Sequence, residues 1–143
     1  MRKFLMLNAL VVVASATCLS FTHRETKQAG ITASLKRGEE VFAQYCLGCH
    51  QANGGGVPNL NPPLIKTKWV LGDKKELIKV ILQGLSGEIV INDDTYNNAM
   101  PPHNFLNDQQ VADVLTYVRN SFGNKAAAVK PAEVKAVRSK LKV

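Results

Sequence analysis

The sequence predicts an all-α domain of three to five helices with one short β-hairpin. Two observations predict it. Apolar residues recur at helical spacing in four stretches, which end near residues 46, 85, 122 and 141, whereas period-two alternation is confined to Ile89 and Ile91. The intervening segments are rich in Gly, Pro and Asn, and 45% apolar composition over 143 residues suffices for one compact core with tails.

Residues 1–21, MRKFLMLNALVVVASATCLSF, carry two positive charges, an apolar run and an Ala14-Ser15-Ala16 cleavage pattern, which makes them a secretory signal peptide. Asn8 interrupts the run, and its length is short for a membrane span. Cys18 leaves acylation, giving a lipoprotein, as the alternative to cleavage near Ala16, and an uncleaved anchor as a third outcome. Residues 22–33 read as a polar, flexible leader in which His23 faces solvent.

From Ser34, taken as N-cap, Leu35, Val41, Phe42, Tyr45 and Cys46 predict a helix running to the cysteines. Gly38 inside it costs about 1 kcal/mol relative to alanine, which points to another helix crossing closely there. Residues 51–68 contain three glycines, three prolines and three asparagines and predict a long irregular loop. Asp73 to Leu85 returns to helix, with Leu77, Ile78, Ile81 and Leu82 on one face and Gly84 closing it. Ile89, Ile91 and Tyr96 flank a turn at Asn92-Asp93-Asp94, a short hairpin.

Asn107 and Gln110 form a capping box, with Leu106 and Val111 as its hydrophobic staple. The helix they open carries Val111, Val114, Leu115, Val118 and Phe122 as an apolar stripe ending at Gly123. Pro131 starts a last helix whose narrow stripe of Val134, Val137 and Leu141 predicts modest docking. The expected organisation is a signal peptide over 1–21, a leader over 22–33, a domain over 34–124 and a C-terminal extension over 125–143.

The formal net charge of +7 comes from 18 basic and 11 acidic residues, spread without a block of five like charges. Nucleic acid is therefore not an expected partner, whereas a basic surface suits docking to an acidic protein.

Of three cysteines, Cys18 belongs to the signal region, which leaves Cys46 and Cys49. A bridge across two intervening residues would restrain little chain, so these thiols serve chemistry. Cys46-Leu47-Gly48-Cys49-His50 is the C-x-x-C-H pattern of covalent haem attachment: two thiols add to the porphyrin vinyl groups, and the adjacent imidazole comes to lie under the iron. Gly48 keeps the turn free of bulk. A redox dithiol would need a βαβ setting, and a structural zinc would need about four ligands, of which only His103 remains to complete the set.

Met100, fifty residues after His50 and followed by Pro101 and Pro102, reads as the second axial ligand, with a methionine filling a core gap as the alternative. His103 is the competing ligand and reads instead as a surface loop histidine.

With RGEEVFAQYCLGCHQANGGGVP, NPPL, Trp69, GLSGEIVIND and YNNAMPPHNFLNDQQVADVLTYVRNSFGN in view, the chain resembles class I c-type cytochromes over Ser34 to Gly123. It is most similar to a bacterial monohaem branch found alone or fused to quinoprotein dehydrogenases and copper nitrite reductases. That resemblance implies one haem c on Cys46 and Cys49, with His50 proximal and Met100 distal. It also implies a carbonyl of Pro62 or Pro63 accepting from the proximal imidazole, Leu64 packed on the ring, and Trp69 reaching a haem propionate. Asn97 or Asn98 would donate to the Met100 sulfur, and Gly38 would cross at Tyr117. GGGVPNLNPP and INDDTY depart from the branch in lacking some small residues.

The implied function is single-electron transfer in the periplasm, free or membrane-tethered. Its partners would be a dehydrogenase or quinol-oxidising complex on one side and a terminal oxidase or reductase on the other, with the protein a monomer rather than an enzyme. The alternatives are a haem enzyme or a gas or peroxide sensor with displaceable Met100, and a dedicated subunit of one dehydrogenase or reductase.

Overall fold

The computed structural model describes residues 29–141; the signal peptide, Cys18 and His23 lie outside the described residues. The chain divides into two units at Ala33/Ser34, and of the first only residues 29–33, which are helical, are described.

Helix α1, described over residues 29–45, continues across that boundary and in the second unit leads into α2 (Leu47–His50). Ser34 is therefore inside a helix and is not its N-cap. Its hydroxyl, freed from capping, donates to Asp113 Oδ1 at 2.6 Å. The predicted loop ends about where expected, and a short α3 (Lys68–Leu71) that the sequence did not announce follows it, its N-cap Thr67 accepting from the Val70 N–H. Helix α4 (Lys74–Gln83) follows, capped by Asp73 and closed by Gly84 at φ 74.

The hairpin pairs β1 (Ile89–Ile91) with β2 (Asp94–Tyr96), with Ile91 opposite Asp94. The turn is thus two residues, Asn92 and Asp93, both at positive φ (52 and 69), the conformation that matches strand twist. Helix α5 (Asp108–Asn120) has the predicted capping box, and α6 (Pro131–Leu141) closes the chain. The fold is mainly helical with one small antiparallel sheet.

Gly38 crosses α5 so tightly that a Cβ would overlap the carbonyl of Asp113 and sit 2.7 Å from the Tyr117 Cβ. Beside this contact Asp113, 2% exposed, accepts from Arg37 Nε and Nη2 at 2.7 and 3.0 Å, from Ser34, and from Gln109. One turn on, the rings of Phe42, Tyr117 and Phe122 pack with centroids 5.4–5.7 Å apart.

Helix α6 packs on both α4 and α5. Val134 and Val137 are buried, each contributing about 1.5–3 kcal/mol by removal from water. Thr116 Oγ1 donates to the Val129 carbonyl and accepts from its N–H, and Lys74 pairs with Glu133. Arg138 binds Asp108 and donates to the carbonyls of Asn104 and Leu106. The extension is thus tied to the loop that follows Met100, a firmer attachment than its narrow stripe suggested.

Gly38→Ala should destabilise the haem-loaded protein by about 1–3 kcal/mol, the usual cost of overpacking a tight contact. Guanidinium unfolding measures it, and an unchanged midpoint would show that the helices can part without penalty.

Candidate functional site

Helix α1 delivers Cys46 to the interior, its N–H bonded to the Phe42 carbonyl, and the His50 N–H bonds to the Cys46 carbonyl in turn. The motif thus folds as one helical turn, with no strand beside it among the described residues and both thiols free. Gly48 faces open space, so no protein contact demands a glycine there.

Past His50 the chain reverses through Gln51, Gly54 and Gly56, all at positive φ. A Cβ on Gly56 would overlap the carbonyl of Asn61, so this glycine lets the chain come back beneath His50. The returning strand is pinned by Leu64 N–H to the Gly54 carbonyl and by Asn124, which accepts from the Lys66 N–H and donates to the Leu64 and Val118 carbonyls.

That return brings the Pro62 carbonyl to 3.0 Å from His50 Nδ1. A carbonyl can only accept, so Nδ1 carries the proton and Nε2 keeps its lone pair. Burial pushes the His50 pKa down, against the Pro62 bond, and the imidazole is held neutral as a metal ligand must be. Of the two prolines considered, Pro62 makes the bond. Pro63 and Leu64 line the wall beside it.

Cys46, Cys49, His50 and Met100 line one cleft of about 1130 Å³, part of it open to solvent. Apolar side chains of α3, α4 and α5, among them Val70, Leu77, Ile81, Val114 and Leu115, form its back wall. Burial, and then the neighbouring Cys49, push the Cys46 thiol up to about 11.

Met100 is held by a backbone bridge, its N–H and carbonyl both bonded to Leu85 at 2.8 and 3.0 Å. Trp69 is half-buried at the cleft wall.

Two expectations need correction. Asn97, just past the end of β2, is exposed and does not line the cleft. Asn98 borders the cleft, but its amide donates to Asn61 Oδ1 at 2.8 Å. His103 is not a surface residue. It is 9% exposed, lines the cleft, and its Nδ1 is buried without a hydrogen-bond partner.

Among the described residues no three His, Cys, Asp or Glu side chains converge as a zinc site requires. Two thiols, a neutral imidazole and a thioether on a mainly apolar cleft instead fit a covalently held porphyrin.

The sequence model of the family described as Cytochrome c matches residues 35–122. The chain belongs to the cytochrome c family. This class I monohaem cytochrome is an electron carrier with haem c attached through Cys46 and Cys49. It is 36% identical over 120 residues to cytochrome c-552 of Thermus thermophilus, covering 78% of this chain and 80% of that one. It is 29% identical over 111 residues to cytochrome c6 of Cyanidium caldarium, covering 78% and 90%. With the cytochrome c subunit of a quinone-type alcohol dehydrogenase from Gluconacetobacter polyoxogenes it shares 32% over 111 residues, 68% of this chain but 21% of that subunit.

Sequence reasoning missed several residues that build the cytochrome's cleft. Arg119 is buried and donates to the carbonyls of Val70, Gly72 and Ala127, fixing α3 against α5. Its position on the same turn as Thr116 and Asn120 gave no local signal, because all of its partners are distant backbone groups.

Gly84 serves the cleft as well as α4. A Cβ there would overlap the Met100 carbonyl and lie 2.9 Å from Pro102 N. Gly84→Ala should lower the thermal midpoint of the holoprotein well below that of Gly87→Ala, which shares the positive φ but meets open space. Equal midpoints would mean the backbone conformation alone, without the methionine loop, sets the cost.

Proposed function

We propose that His50 and Met100 are the axial ligands and that the protein shuttles single electrons outside the cytoplasm. When bound, haem supplies a one-electron iron couple. The observation that carries the reading is the His50–Pro62 bond: it fixes one nitrogen to the backbone and leaves Nε2 for iron in a cleft that Met100 also lines.

A thioether opposite an imidazole favours iron(II) and raises the potential relative to two imidazoles. With both axial positions taken, no site is left for a substrate, which supports a carrier over an enzyme or sensor. The apolar wall excludes water, and the fixed helices keep the ligands in place whichever oxidation state is held.

Several relatives are named as cytochrome subunits of alcohol, gluconate and fructose dehydrogenases, which supports a dehydrogenase as electron donor. A terminal oxidase or reductase is then the natural acceptor. The signal-like N-terminus supports export to the periplasm, with a lipid on Cys18 as the tether if that cysteine is retained. Among the described residues no helix is long and apolar enough to cross a membrane. The spread of lysines favours a weak, steered encounter with an acidic partner surface.

Oxidised wild-type protein should show the weak far-red absorption band of iron–thioether ligation, and Met100→Ala should lose it. A wild type that lacks the band, or whose reduced form takes up carbon monoxide readily, would overturn the reading. Reduction by a partner dehydrogenase should slow as salt is added, because exposed charges are screened over about 10 Å at 0.1 M ionic strength.

A further inference from the structure

We infer that His103 is a reserve ligand, an imidazole stored in the cleft that takes the distal iron position when Met100 leaves it. The inference rests on the His50 and Met100 assignment above.

The starting observation is the orphaned nitrogen. Among the described residues, His103 Nδ1 is the one buried side-chain polar atom without a partner. Leaving such a group unpaired costs about 1–3 kcal/mol, and buried polar atoms in native proteins are nearly always satisfied. The protein offers it nothing. The cleft that His103 lines is mainly apolar and is also lined by His50 and Met100, so the His103 side chain stands beside the residues that would hold iron.

The second observation is how the residue is held. The His103 N–H bonds to the Ile81 carbonyl at 2.8 Å, and the Leu106 N–H bonds back to the His103 carbonyl. Arg138 holds the carbonyls of Asn104 and Leu106. On the outer side, Phe105 packs on the His103 ring at 5.7 Å and on Tyr45 at 5.3 Å. None of these contacts uses the Met100 side chain. If the thioether lets go, the imidazole therefore stays in the cleft, three residues further along the chain.

The third step is ligand chemistry. Imidazole suits iron in either oxidation state, whereas a thioether is a weak, soft donor that favours the reduced one. In the exchange the iron–sulfur bond breaks and a bond from a neutral imidazole nitrogen of His103 forms, with no electron transferred. The result is a closed, low-spin site of lower potential rather than an open one. Loss of Met100, through loop strain or oxidation of its sulfur by a peroxide, would then switch off electron delivery without turning the protein into a peroxidase.

The test compares haem-loaded wild type, Met100→Ala and Met100→Ala/His103→Ala by electron paramagnetic resonance and carbon monoxide titration. The single variant should be low-spin with two nitrogen ligands, and the double variant high-spin. The single variant should bind carbon monoxide roughly tenfold or more weakly than the double, because its open form is a minor population.

A high-spin single variant that binds the gas as well as the double, or a double variant that remains low-spin, overturns the inference. If Met100→Ala does not fold, wild type and His103→Ala are warmed in the oxidised state until the far-red band disappears while helical circular dichroism persists. Conversion of the wild type to a nitrogen-ligated low-spin form, and of His103→Ala to a high-spin form, supports the inference; identical spectra defeat it. Absence of the band from wild type at the outset defeats the Met100 assignment instead.

Discussion

The contact on which the rest of this molecule depends is the crossing of α1 and α5 at Gly38. Only a residue without a side chain lets the two backbones meet at Asp113 and Tyr117, and the approach aligns three further things. It lets Arg37, Ser34 and Gln109 reach the buried Asp113 carboxylate. It brings Phe42 into the ring cluster with Tyr117 and Phe122. It thereby sets Cys46, one turn beyond Phe42, in the wall of the cleft. A carboxylate this buried is stable only with its charge and lone pairs matched, so the polar clasp and the helix contact select the same geometry.

The cleft walls are then fixed chiefly by side chains that bond to distant backbone carbonyls. Asn124 joins the returning loop to α5, Arg119 joins α3 to α5, and Arg138 joins α6 to the segment after Met100. Irregular loops have few ladder bonds of their own, and their carbonyls need partners wherever they are covered. Polar side chains on helices, Arg119 and Arg138, and Asn124 just beyond α5 supply those partners. A cofactor pocket can therefore be lined by loops and still keep its shape.

This division explains what could be read in the sequence. The capping box at Asn107, the Gly84 stop and the C-x-x-C-H turn are local patterns found where the pattern put them, whereas α5 ends at Asn120 and leaves Phe122, the last residue of the predicted stripe, outside the helix at φ 56. The crossing at Gly38 was legible because a glycine inside a helix demands a reason. What was not legible is long-range. Ser34 looks like an N-cap until Asp113, 79 residues away, is seen to take its hydroxyl. Asn97 and Asn98 are indistinguishable in sequence as possible sulfur donors, and only the folded loop separates them, Asn98 at the cleft and bonded to Asn61, 37 residues away, and Asn97 outside it. His103, in a loop of prolines and asparagines, carries no apolar periodicity to announce its burial.

The two proposed axial ligands are supported unequally, and the asymmetry has a physical consequence. On the His50 side the ring itself is gripped, through Nδ1 and the Pro62 carbonyl, within a reversal that Gly54 and Gly56 make possible. On the Met100 side only the main chain is gripped, through Leu85, while the flexible thioether has no hydrogen bond of its own among the described residues. Perturbing the fold should therefore release sulfur before imidazole. A stiff proximal side with a soft distal one would let the Met100 thioether, as the proposed ligand, adjust without moving the backbone. On that assignment, electron exchange would require little rearrangement of the protein, and the backbone bridge to Leu85 would keep Met100 at the cleft.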